Sequence, residues 1–186
     1  MARDALPLLC ALLLTLAACA GPGQIDPELA EGASNPYRLD SGDELRVVVF
    51  DQDGLTNSYT VDDSGRIAMP LIGNVDARGR TTEELAEAVA QRLRGGYLRE
   101  PSVAVEVESA RPFFILGEVG NPGQYSYVPG MTARTAVAIA GGFTPRATRT
   151  RLHLTRRHGD EETTASVPLD QPIAPGDTIE VPERWF

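Results

Sequence analysis

The sequence predicts an α+β fold built from two small modules in succession, and three observations carry that prediction. Thr81–Arg94 has helical periodicity, several short runs of β-branched or alternating apolar residues read as strands, and clusters of Gly, Pro and Asp separate them. From Tyr37 to Phe186 there are about 150 residues, room for one ordinary domain or two small ones.

In the first stretch, Ser41-Gly42-Asp43 is a turn and Leu45–Phe50 a β-branched run suited to a strand. Asp62-Asp63-Ser64-Gly65 reads as a hairpin turn between Tyr59–Val61 and Arg66–Ala68, with Pro70 and Gly73 limiting the second strand. Thr81 and Glu84 have capping-box spacing at the start of the helix. Leu85, Val89 and Leu93 then form one apolar stripe, and Gly95-Gly96 ends it. Val103, Val105 and Val107 alternate with Ala104, Glu106 and Glu108, the pattern of a strand buried on one face.

In the second stretch, Phe113–Leu116 is an apolar strand that runs into the turn-forming cluster Gly117–Gly123. Gln124–Val128 is the expected returning strand, and Thr132 caps a short Ala-rich helix, Ala133–Ala140, stopped by Gly141-Gly142. Arg151–Thr155 and Thr163–Val167 flank a turn at His158-Gly159-Asp160, and Pro175-Gly176-Asp177 leads into a last strand, Thr178–Val181.

The N-terminus has the layout of a secretory signal. Arg3 and the free amine precede an apolar run from Ala5 to Ala18 that is too short for a permanent span, which needs about 20 apolar residues. It ends in Leu16-Ala17-Ala18-Cys19, which resembles the lipobox of bacterial lipoproteins, where the thiol is acylated and Cys19 becomes residue one. Ala20 after the cysteine implies, by the same resemblance, sorting to the outer membrane with the chain on its periplasmic face. Ala20–Pro36 is polar, Gly- and Pro-containing and aperiodic, as expected of a tether. The expected division is therefore 1–18 signal peptide, 19–36 lipidated tether, 37–109 first module and 110–186 second module.

Composition excludes several functions. Formal net charge is −9, all seventeen basic residues are Arg, and no basic tract exists, so nucleic-acid binding is disfavoured. Once the signal is removed, Cys19 is the only cysteine, which rules out a disulfide framework and a thiol catalyst. His153 and His158 lack companion ligands for a metal site. Asp62-Asp63 and Glu83-Glu84 are adjacent pairs in a turn and a helix start, not two carboxyls across a cleft as glycosidases need.

Three segments run in order through the first module: Tyr37-Arg38-Leu39-Asp40-Ser41-Gly42-Asp43-Glu44-Leu45, then Asp62-Asp63-Ser64-Gly65-Arg66-Ile67-Ala68-Met69-Pro70-Leu71-Ile72-Gly73, then Glu100-Pro101-Ser102-Val103. The second module contributes Gly117-Glu118-Val119 with Pro122-Gly123, Ala140-Gly141-Gly142-Phe143, and Pro175–Pro182. Together, behind a lipobox, they resemble the bacterial outer-membrane polysaccharide export lipoprotein family. The resemblance implies a small mixed α/β polysaccharide-export module followed by a β-grasp-like soluble-ligand-binding module. It also implies a ring of identical subunits that conducts capsular polysaccharide or exopolysaccharide, with an inner-membrane polysaccharide co-polymerase as partner, no cofactor and no catalysis. Only Glu183-Arg184-Trp185-Phe186 follow Pro182, so the chain resembles the short members that lack a C-terminal membrane-spanning helix and work with a separate outer-membrane pore. A monomeric periplasmic glycan-binding or sensing lipoprotein is the alternative.

The Gly-Asp and Gly-Gly turns read as structural. Tyr125 and Tyr127, alternate residues on an expected strand, are candidates for glycan contact. Trp185 and Phe186 are candidates for an interface, the alternative being that they fold back onto the second module.

Overall fold

The computed structural model describes residues 29, 36–158 and 161–185. The signal segment, Cys19, the 159–160 turn and Phe186 lie outside the described residues. The first module holds β1 (Glu44–Val49), β2 (Asn57–Thr60), β3 (Arg66–Met69), β4 (Gly73–Asp76), α1 (Thr82–Arg94) and β5 (Val103–Ser109). β1 is the centre of an antiparallel sheet of order β2-β1-β5, and it turns Leu45, Val47 and Val49 inward. Helix α1 packs on β5 and buries the expected stripe of Leu85, Val89 and Leu93. The capping box forms in both directions: the Glu84 N–H donates to Thr81 Oγ1 (3.2 Å) and the Thr81 N–H to Glu84 Oε2 (2.9 Å).

The expected hairpin around Asp62–Gly65 is corrected. The turn forms, but β2 pairs with β1 whereas β3 pairs antiparallel with β4. The Val61 N–H is held by the Asp43 carbonyl (2.9 Å), which keeps the end of β2 with β1. Beyond the turn, the Gly65 carbonyl accepts from the N–H groups of Ala77 (2.8 Å) and Arg78 (2.9 Å), so the partner of β3 comes from the chain that follows it. Strand β4 has a single apolar residue, Val75, and gave no period to read.

The second module holds β6 (Phe113–Gly117), β7 (Gly123–Tyr125), α2 (Ala133–Ile139), β8 (Arg151–His158), β9 (Glu161–Pro168) and β10 (Thr178–Val181). Its sheet has the order β7-β6-β10-β8-β9, with β6 and β10 parallel in its interior and the other pairs antiparallel. The module's first and last strands therefore lie side by side, as expected of a β-grasp arrangement. α2 presents Ala133, Ala136 and Val137 to the core, and side chains this small allow a close approach to the sheet. The expected strand Gln124–Val128 stops at Tyr125, because the chain then turns: the Met131 N–H returns to the Val128 carbonyl (3.2 Å) and the Val128 N–H points at the Met131 sulfur (3.2 Å).

Strand register sets the outer face of this sheet. One cross-strand row runs Gln124, Phe114, Thr178, Thr155, Thr164, and the next runs Leu116, Glu180, His153, Ser166. The inner face carries Phe113, Ile115, Leu152, Leu154, Val167, Ile179 and Val181. Leu29, within the segment expected as a tether, is buried in this same core.

Stability should follow this packing. Leu85→Ala removes a fully buried side chain from the α1 stripe and is expected to cost about 2–5 kcal/mol. Thr81→Ala removes one cap and is expected to cost about 1 kcal/mol. Urea denaturation followed by circular dichroism measures both; equal losses would contradict the packing hierarchy.

Candidate functional site

Two short sequences share one pattern: Gly42-Asp43-Glu44-Leu45-Arg46-Val47 and Gly176-Asp177-Thr178-Ile179-Glu180-Val181. They fold alike. Each glycine has a positive φ (91° and 84°), where a Cβ is strained. Each aspartate N–H donates to the carbonyl three residues back, Asp40 or Ala174 (both 3.2 Å). Each carboxylate accepts the N–H of that same residue (2.9 Å at Asp43, 2.7 Å at Asp177), and each turn leads into a strand, β1 or β10.

Both carboxylates are fully buried, and a buried charge is tolerated only when paired and hydrogen-bonded. Asp177 takes two bonds from the Arg156 guanidinium (2.8 and 2.6 Å). Arg156 is itself buried and also donates to the carbonyls of Leu29 and Pro172. Asp43 accepts from the Tyr37 hydroxyl (2.6 Å), the Arg111 N–H (2.9 Å) and the Arg111 guanidinium (3.3 Å). Burial pushes the Tyr37 phenol well above its usual range; the Arg111 charge opposes this and the bond to Asp43 adds to it. Tyr37 therefore stays protonated and remains a donor. Nearby, burial works against ionised Asp40, but the Ser41 N–H and Arg78 outweigh it and hold that carboxyl below its usual range.

Arg111 sits in the short connector between β5 and β6 and touches both turns. Its backbone and side chain bind Asp43, while a Cβ at Gly176 would lie 2.8 Å from its Nε, so glycine leaves room for the guanidinium. On the other side, the Pro112 carbonyl accepts the Gly176 N–H (3.0 Å) and the Asp177 carbonyl the Phe114 N–H (2.9 Å). The connector is thus pinned by one Gly-Asp turn from each module.

A cleft of about 490 Å³ opens at this junction, walled by Tyr37, Val107, Arg111, Tyr127, Arg157 and Pro175 among others. Burial raises the Tyr127 phenol, with the Asp177 charge adding to the effect. The described lining has apolar surface and guanidinium groups but no Ser, Cys, His or carboxylate. Such a wall suits a sugar ring or an anionic substituent, and it offers no nucleophile–base pair. Among the described residues no cluster of His, Cys, Asp or Glu could hold a metal, and no helix is long and apolar enough to cross a membrane.

Tyr125 and Tyr127 serve different surfaces. Tyr125 stacks on Phe113 (centroids 5.9 Å apart) and donates to the Asn121 carbonyl (2.6 Å), whereas Tyr127 lines the cleft. Trp185 is 89% exposed and does not fold back on the second module; Cys19 and Phe186 lie outside the described residues. His153 faces solvent with Glu180 at 3.7 Å. The loop Gly117–Gly123 is fastened to the end of α2, where Gly120 and Asn121 N–H groups meet the Gly142 (2.9 Å) and Ala140 (2.7 Å) carbonyls. Arg111 and Arg156 are the residues sequence reasoning missed. The available signal was the repeated Gly-Asp-x-(Leu/Ile)-x-Val pattern, because each buried acid demands a cation from elsewhere in the chain.

Asp177→Ala leaves Arg156 buried and uncompensated, so a loss of about 3–5 kcal/mol in urea denaturation is expected. Asp40, with a folded-state pKa below its unfolded value, stabilises the fold above the ordinary carboxylate range and ceases to do so as pH falls through the folded value. The stability gap between the parent and Asp40→Asn should hold from about pH 7 to pH 5 and shrink below about pH 4. A gap that widens on acidification would contradict the assignment.

Residues 31–108 match the family described as polysaccharide biosynthesis/export protein, and residues 112–165 match the SLBB domain. The exopolysaccharide production protein ExoF of Rhizobium meliloti is 36% identical over 130 residues, covering 61% of this chain and 31% of that protein. The EPS I polysaccharide export outer membrane protein EpsA of Ralstonia nicotianae is 29% identical over 197 residues, covering 86% of this chain and 50% of that protein. The polysialic acid transport protein KpsD of Escherichia coli is 27% identical over 116 residues, covering 61% of this chain and 21% of that protein. The chain thus spans half or less of these relatives. With both family regions present in order, the chain belongs to the polysaccharide biosynthesis/export protein family, whose members are transport proteins and not enzymes.

Proposed function

We propose that this chain is a lipid-anchored outer-membrane component of a polysaccharide export system. It faces the periplasm and assembles with further copies of itself into a conduit for a capsular polysaccharide or exopolysaccharide. The observation that carries the reading is the export module followed directly by the SLBB module in one chain, the pair joined through Arg111. Relatives whose names specify polysaccharide export and the outer membrane support the same role here.

Cys19 is the lipid attachment point in this reading, after removal of residues 1–18, with 19–36 leading to the modules at 37–109 and 110–186. Leu29 is buried in the second module, and only ten residue-to-residue steps link it to Cys19, a reach of at most about 36 Å. The second module therefore stays near the membrane. An inner-membrane polysaccharide co-polymerase supplies the polymer, and a separate outer-membrane pore completes its path. Trp185, almost wholly exposed, is the proposed contact with one of these neighbours, together with Phe186.

Deleting the gene in a producing strain should leave polymer synthesised but retained inside the cell, measured as cell-associated against surface polysaccharide. Normal surface polymer would refute the reading. Cys19→Ser should move the protein from the membrane fraction to the periplasmic fraction; persistence in the membrane would place the anchor elsewhere. Light scattering of the purified chain should give the mass of an oligomer, and a stable monomer would favour a glycan-binding role without a conduit.

A further inference from the structure

The outer face of the five-stranded sheet in the second module carries two large apolar side chains that its fold does not require. Phe114 and Leu116 are each 42% exposed there, side by side on β6. Beside them the face is almost wholly hydroxyl, amide and charge. The Thr155 and Thr164 hydroxyls bond each other at 2.8 Å, and each oxygen keeps hydrogen-bonding capacity toward solvent. His153 and Glu180 stand together in the adjoining row at 3.7 Å.

We propose that this face is a glycan-binding platform, with the polysaccharide laid across the strands. This rests on the export reading for the class of ligand. A sugar ring has apolar C–H faces and a hydroxyl rim; Phe114 and Leu116 match the first, and the threonines, His153 and Glu180 the second. Neighbouring strands are about 4.8 Å apart, close to the length of one sugar residue in a chain, so successive rings meet successive strands. Charge points the same way. The chain carries a net −9, yet on this face Arg151 and Arg157 balance Glu162 and Glu180, so an acidic polymer is not repelled here. Tyr125, one of the two tyrosines that the sequence offers for glycan contact, points to the opposite side of the sheet and stacks on the core.

The test uses the detergent-solubilised full chain and oligosaccharides released by partial acid hydrolysis from the polymer of the producing strain, titrated by calorimetry. Phe114→Ala should weaken binding at least tenfold and Glu180→Gln about threefold. Glu87→Gln, on the exposed side of α1, should change nothing. Parent-like affinity in both face variants overturns the proposal. So does a change in oligomer mass with affinity intact, which would make the face a contact between copies. A strain carrying the Phe114→Ala, Glu180→Gln double variant separates the two readings. If deletion blocks export but the double variant exports at the parent level, the platform fails and the export role stands. If deletion leaves surface polymer normal, the export role fails, and the titration alone decides whether the face binds glycan.

Discussion

Two buried carboxylates at the ends of two like turns are the constraint on which the rest of this structure depends. Neither Asp43 nor Asp177 has any solvent contact, so each needs a full set of donors, and those donors come from distant chain. Asp43 draws Tyr37 and Arg111 to the start of β1; Asp177 draws Arg156 and, through it, the Leu29 carbonyl to the start of β10. Desolvation makes each arrangement close to all-or-none, because a buried carboxylate left with half its partners is worse than an apolar side chain in its place.

The geometry of the junction follows. Arg111 binds the first module with its backbone and guanidinium and packs over Gly176 of the second, where any side chain would collide with it. A short connector that is pinned on both sides cannot act as a loose linker. The cleft of about 490 Å³ opens where these contacts meet, with Tyr37 and Arg111 on one side and Tyr127 and Pro175 on the other.

Much of the fold was legible in the sequence, because its signals were local. The α1 stripe, its capping box, the alternation of β5, the β8–β9 hairpin and the last strand all lie where periodicity and turn chemistry put them. The misreadings share a cause. The strands flanking Asp62–Gly65 are neighbours in sequence, which favours a hairpin, but the Gly65 carbonyl accepts from Ala77 and Arg78 and β3 pairs with β4. The alternation of Tyr125 and Tyr127 favours a strand through Val128, but the Val128–Met131 turn ends it at Tyr125.

By itself the sequence determined the α+β class, the two modules, the Gly-Asp turns and the likeness to exporters, since each is written in adjacent residues or in the order of short motifs. Only the tertiary structure decided which arginine answers which aspartate, that Leu29 belongs to a core, and that Phe114 and Tyr125 face opposite ways. Those facts depend on pairing between residues far apart in the chain and on strand register, where a shift of one residue exchanges the two faces of a sheet.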